Sequence, residues 1–342
     1  MFNKKAFEIQ FNWLFVLIAG AAILLFFTAI VIKQKSFAET STKATVLKSI
    51  DAIITGAGVS IGTTNIINIP NSNIEVGCNR VSLGKVSKQY QKLILFAPSL
   101  IKGDKLITQT SAFNIPYRAV NFLYMTNPQV RYIIIGDSEL AKETNRTLPS
   151  GLNKEFYKSI QTIENKNNYK VRFAFFGNDN INNDVLKNLK NMRDADVTAV
   201  KIIGDNEESG TLEFYQKDDD KWSSPVTSYY LTKSSLIGAI YADTLETYEC
   251  NIKSAFSRAN LVTEIYMNRA SNLIQEGTED DRQLQCNGFY NTANSDLNTI
   301  STASSNLVSQ INEEDSNDIL SAFESLVTQN KNLQLNSCTL LY

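Results

Sequence analysis

Three aspartates stand just past three apolar runs, each introduced by a glycine. Asp137 follows Arg131–Ile135 and Gly136. Asp179 follows Lys170–Phe176 and Gly177-Asn178, and Asp205 follows Val197–Ile203 and Gly204. Near-continuous apolar runs of this length read as strands buried on both faces. Ligands of open α/β sheets collect at the carboxyl ends of such strands. The oxygens of Asp137, Asn178, Asp179 and Asp205 could together hold Mg²⁺ or Ca²⁺; no other cofactor is expected. The competing reading is plain: Asp, Asn and Gly turn a chain after any strand. The chain contains no histidine. That removes Ser-His-Asp and Cys-His nucleophile activation, His-ligated zinc and the imidazole proton shuttle. With 33 basic and 35 acidic side chains, the balance also lacks the basic excess that polyanions attract, so no nucleic acid is expected as a partner.

Two short motifs meet the same limits. Gly136-Asp137-Ser138-Glu139-Leu140 resembles the nucleophile block of GDSL-type hydrolases, which implies Ser138 as nucleophile. That family needs a downstream histidine base, so Ser138 reads instead as a helix N-cap. Thr55-Gly56-Ala57-Gly58-Val59-Ser60-Ile61-Gly62 resembles the nucleotide-binding turn of short-chain dehydrogenases, with Tyr229 and Lys233 as the implied Tyr-x-x-x-Lys pair. A helical pattern precedes it, Ser60 replaces the family's central glycine, and Pro70 follows too soon. A dinucleotide turn must follow a strand and open a helix. A helix-to-sheet hinge fits these residues better.

The longest apolar feature is Phe11–Ile32. Trp13–Ile32 carries no charge, and Trp13, Phe15, Leu24, Phe26 and Ile32 mark its length. Twenty helical residues span roughly 30 Å, the thickness of a bilayer core. Lys4 and Lys5 precede the run; Lys33 and Lys35 follow it. A cleaved secretory signal is the rival, with small residues at Ser36 and Ala38, but its apolar region would be about 7–15 residues. A retained single-pass signal-anchor is the expectation, with the bilayer as partner and other envelope proteins as further candidates. Lys33, Lys35, Lys43 and Lys48 favour a cytoplasmic C-terminal region by the positive-inside rule. Long domains, however, translocate largely regardless of charge. The even cysteine number and a glycosylation sequon at Asn145-Arg146-Thr147 favour the outside. An extracytoplasmic domain is expected.

Lys4-Lys5-Ala6-Phe7-Glu8 before the apolar run resembles a pilin-type (class III) signal. The resemblance implies cleavage at Ala6–Phe7, although Glu8 would then stand second where that family places its glutamate fifth. The chain as a whole resembles single-pass surface proteins of small-genome archaea. That resemblance implies a surface location and no particular activity.

These features organise the chain. Residues 1–12 form a tail, 13–32 the anchor, 33–62 a helical stalk and glycine hinge, 63–248 an α/β domain and 249–342 a helical bundle. Val46, Leu47, Ile50, Ile53 and Ile54 recur at helical spacing on the stalk; Gly56, Gly58 and Gly62 end it. Strand character marks Ile74–Val81, Lys92–Phe96 and Lys105–Thr108, and Tyr117–Met125 reads as a short helix. Helices are expected from Ser138, over Asp184–Met192 and over Ser234–Leu245. The fold class is α/β, with a mainly parallel, Rossmann-like sheet and an antiparallel edge at 211–231. Asp218-Asp219-Asp220 reads as a hairpin turn. Apolar stripes over 251–276, 285–311 and 316–333 predict three helices in an up-down-up bundle. That arrangement puts Cys286 and Cys338 at one end and predicts their disulfide, leaving Cys78 to pair with Cys250. The leading function is a non-enzymatic surface or envelope protein that binds a partner or assembles. A pilin-like subunit stands beside it, as does a metal-dependent hydrolase or ligand receptor using the strand-end carboxylates.

Overall fold

One helix, α1 (Lys4–Ala57), is 54 residues long and contains both the apolar run and the stalk. No proline interrupts it, and prolines are the commonest cause of a sharp kink. The computed structural model describes residues 4–57, 60, 62–90, 94–159, 163–164, 166, 168–276 and 284–342, with side chains beyond residue 12 except 36, 39 and 57. The expected breaker Gly58 and the strand start at Lys92 lie outside the described residues.

Among the described residues, thirteen strands form two mixed sheets. The first sheet contains β1 (Thr64–Gly77), β2 (Arg80–Leu83), β3 (Val86–Gln89), β4 (Ile94–Phe96), β5 (Leu100–Asn114) and β6 (Arg118–Thr126). Their order is β3-β2-β1-β5-β6-β4, antiparallel except for β4 beside β6. Pro70 breaks no strand. It falls where the β1–β5 register shifts between Asn68 and Ser72, a bulge that needs no donor from proline.

The second sheet holds β7 (Val130–Ile135), β8 (Lys154–Tyr157), β9 (Lys170–Phe176), β10 (Val197–Ile203), β11 (Ser209–Asp218), β12 (Lys221–Trp222) and β13 (Val226–Leu231). β8, β7, β9 and β10 are parallel neighbours. β11 and β13 add the expected antiparallel edge. Asp219 turns the β11–β12 hairpin at a φ of 52°.

The helices are α2 (Glu139–Thr147), α3 (Lys233–Tyr241), α4 (Leu245–Glu276), α5 (Asn287–Ser309) and α6 (Glu313–Leu335). α5 packs on both α4 and α6, while α4 also packs on β4 and β6. The expected boundary at residue 248 therefore falls inside α4, whose apolar stripe merges with the sheets in one core. The mainly parallel expectation is met only in part: four adjacent strands of the second sheet are parallel, while its remaining pairings and most of those in the first sheet are antiparallel. Tyr117–Met125 is strand rather than helix: Phe122 and Tyr124 face one core, Leu123 and Met125 another. Both faces are buried, so the run is continuously apolar and hides its period of two. Asp184–Met192 contracts to a 3₁₀ helix over Asn183–Leu189.

The layers follow from strand alternation. Ile94, Phe96, Phe122 and Tyr124 of the first sheet look towards Ala174, Val200, Ile202 and Leu212 of the second. Between them lies α3, buried from Ser234 to Tyr241. A Cβ at Gly238 would come within 2.9 Å of the Phe96 ring, so glycine permits this close approach. The outer face of the first sheet packs on Val46, Leu47, Ile50 and Ile54 of α1. The outer face of the second packs on Val185, Leu186 and Leu189.

Candidate functional site

The strand-end residues share one end of the second sheet. Asp137, Asn178, Asp179 and Asp205 follow β7, β9 and β10, three adjacent parallel strands, and all four are exposed. They do not converge into a ligand set. Among the described residues, no three His, Cys, Asp or Glu side chains gather so that they could hold a metal ion. Asp137 turns instead to Lys142 at 3.3 Å and Lys158 at 3.5 Å. Lys142 lowers its pKa by hydrogen bonding and charge, with Lys158 adding to the charge effect. Next to Asp205, Asn206 Oδ1 accepts from the Glu208 and Ser209 N–H groups at 2.9 and 3.3 Å, which is a turn-forming role. Ser138 is the N-cap of α2, its Oγ accepting from the Ala141 N–H at 3.2 Å. Asn145 lies within α2, half-buried, and its carbonyl accepts from Lys154 Nζ. The sequon thus lies within the helix expected from Ser138.

The cysteines come together in the expected pairs. Cys286 at the start of α5 and Cys338 just past α6 lie at disulfide distance, with Cα atoms 6.0 Å apart. Cys78, between β1 and β2, pairs in the same way with Cys250 of α4, at 5.9 Å. The second pair ties the outer end of the first sheet to the C-terminal helices.

The anchor residues are bare. Trp13, Phe15, Leu24, Phe26 and Ile32 are each at least 62% exposed. The helix is long and apolar enough to cross a membrane: its most apolar 18-residue window has a mean hydropathy of 2.9 and nothing in the chain buries it. The two flanks of this helix differ in their surroundings. From Val46 onward one stripe is sealed against the first sheet, while Lys33 and Lys35 stand at the end of the bare segment.

The most chemically loaded cluster was not singled out by sequence reasoning. β9 alternates Lys170 and Arg172 with Val171 and Phe173, and the two cations point into the space between the sheets. Lys170 pairs with Asp243 in the turn between α3 and α4. Asp243 Oδ2 also accepts from the Ser99 N–H at 3.0 Å and from Ser99 Oγ at 2.7 Å. Arg172 donates to the Ala239 carbonyl at 2.8 Å and the Ile240 carbonyl at 3.3 Å. These carbonyls end α3, where the helix dipole is negative. Burial lowers the Arg172 pKa to about 10, which Asp243 partly opposes. A serine beside a lysine is a nucleophile–base arrangement in principle. Here Lys170 and Asp243 are each 2% exposed, and the cluster joins both sheets to the α3–α4 turn. Its signal was available: two cations at alternate positions of an otherwise apolar strand require buried partners.

No protein-family model matches this chain, and neither a curated protein nor a solved structure does. The reading of function therefore rests on α1 and on what α1 carries.

Proposed function

We propose that this chain is a membrane-anchored protein whose extracytoplasmic domain binds a partner or assembles, without catalysis. The observation that carries the proposal is the continuity of α1. Its first half exposes apolar side chains all round, and its second half is packed into the domain core. A bilayer satisfies the first half, because lipid is the solvent in which such a surface costs nothing to expose. The domain is then held on a stiff helix at a fixed distance. From Ile32 to the first buried contact at Val46, that distance is about 20 Å. The two cysteine pairs support the outer side of the membrane, since disulfides persist in oxidising compartments.

Alkaline carbonate washing of membranes tests the anchor: the full chain stays in the pellet, and a chain released into the supernatant overturns the reading. Protease added to intact cells tests the side. Digestion of the domain is expected, and full protection would place it in the cytoplasm. A second reading, a pilin-like filament subunit, is favoured by the same bare half-helix joined to a globular head, because copies could bury these halves against one another. Its mark would be an N-terminus at Phe7 in protein recovered from filaments.

A further inference from the structure

A cleft of about 760 Å³ lies between α1 and the bulged stretch of β1. Lys35 and Lys43 stand on its α1 wall, and Asn71, Asn73 and Glu75 stand opposite. We propose that this cleft binds the anionic, hydroxyl-bearing headgroup of a membrane lipid, an inference that rests on the anchor reading above.

Position is the first argument. Lys35 is three residues beyond Ile32, or about 5 Å along the helix axis, and Lys43 is about 17 Å beyond it. The polar layer on each side of a bilayer core is roughly 5–8 Å deep. The cleft therefore opens at headgroup depth and extends outward from it. It lies on the membrane side of the first buried contact between α1 and the domain, at Val46.

Charge is the second argument. Among the described residues, neither Lys35 nor Lys43 forms an ion pair or hydrogen bond. Lys88, on the next strand hairpin, is by contrast matched by Asp51 of α1 at 2.6 Å. Among the described residues no partner matches either ammonium group, which suits a phosphate at the depth of Lys35. The asparagine amides can donate to phosphate oxygens and accept from hydroxyls. Glu75 repels a phosphate but accepts from hydroxyl groups, so the fit is to a glycerol- or sugar-bearing headgroup rather than to bare phosphate.

Shape is the third. Gly84 turns between β2 and β3 at a φ of 60°, and a Cβ there would lie 3.2 Å from Lys43 Nζ. Glycine at this turn leaves room for the ammonium at the end of the cleft.

The test uses the full chain in nanodiscs of phosphatidylcholine containing a minor share of phosphatidylglycerol. Lipids retained on detergent release are identified by native mass spectrometry. The wild type is expected to retain phosphatidylglycerol preferentially. A surface lysine near a membrane is worth about 1 kcal/mol, or roughly fivefold, towards anionic lipid. The double variant Lys35→Gln/Lys43→Gln should then lose the preference by about tenfold or more, while Lys43→Arg keeps it. Lys33→Gln/Lys48→Gln, on the same helix but outside the cleft, should lose only the roughly fivefold diffuse share of Lys33. Equal losses in the two double variants would reduce the effect to diffuse attraction and overturn the site. An unchanged preference in the cleft variant, or none in the wild type, would overturn it too. Saturable binding of millimolar glycerol 3-phosphate by a wild type that retains no phosphatidylglycerol would assign the cleft to a soluble phosphate instead. Carbonate extraction of the same proteins separates the two readings. Variants that lose lipid preference yet stay in the membrane bear on the cleft alone, and a wild type that leaves the membrane overturns the anchor.

Discussion

The two halves of α1 share a backbone conformation and differ in what surrounds them. Over Trp13–Ile32 the apolar residues point in every direction, and Leu24 is 70% exposed. Over Val46–Ile54 they keep to one stripe, and Ile50 is fully buried. A stripe needs only one covering surface, here the first sheet. An all-round apolar cylinder needs a solvent that is itself apolar. On the anchor reading proposed above, the same helix meets two environments, and substitutions in its two halves should have separable consequences.

The largest expected effect is in the sealed half. Ile50→Ala removes buried methylene groups at the centre of the seam and should cost the domain about 2–5 kcal/mol, read as a lower urea midpoint. Leu24→Ala should leave the same midpoint unchanged, because nothing in the domain touches Leu24. A fall of equal size in both would mean that the bare half packs on something in the folded chain. The converse lesion is Leu24→Arg. A central arginine costs membrane insertion roughly 2.5–3.5 kcal/mol on the translocon scale. It should lower the carbonate-resistant fraction while the urea midpoint of the domain stays constant.

A third experiment asks which region gives the domain its acid sensitivity. In the second sheet, Glu155 accepts from Arg131 Nε at 3.0 Å and Nη2 at 2.7 Å, and from Tyr157 and Lys166. Burial pushes its pKa up, but these donors outweigh burial and hold it at about 2, against an ordinary 4.5. A depressed carboxylate contributes stability that is fully present above the unfolded value and lost as pH falls through the folded one. The urea midpoint should therefore decline between pH 4.5 and 2. Glu155→Gln should start lower and decline less over that window. If the decline persists undiminished in Glu155→Gln, the acid sensitivity belongs elsewhere than this carboxylate.

The sequence was most informative where one physical requirement acted alone. An uncharged run of bilayer length, a one-sided stripe, and the β–α alternation after Val130 each specify a kind of element, and each is present in the fold. The cysteine pairing was legible because helix ends in an up-down-up order bring Cys286 and Cys338 to one end. The first sheet was much less legible. β1 is rich in Asn and contains Pro70, and only the bulge reconciles that composition with a strand. β6 was mistaken for a helix because both of its faces are buried. The strand-end aspartates lie at the expected end of the expected strands. Whether side chains there turn inward to a shared ion or outward to Lys142 and Lys158 depends on loop geometry that spacing does not encode. The Lys170–Asp243 junction joins residues 73 apart in sequence, and only the three-dimensional fold brings them together.

The smallest expected effect bears on the domain half alone. Ser138 Oγ satisfies one of the free N–H groups at the start of α2, and Glu139 in the first turn adds a favourable charge at the positive end of the helix. Ser138→Ala should cost about 1 kcal/mol, and Ser138→Asp, which restores an accepting oxygen, should recover most of it. Membrane retention should be indifferent to both changes, since α2 packs on β7 of the second sheet rather than on α1. If alanine and aspartate variants were equally destabilised, the hydroxyl would hold its place for a reason other than capping. That result would reopen the question of what the Asp137–Ser138 turn touches. Recovery by aspartate alone ties the serine to helix initiation.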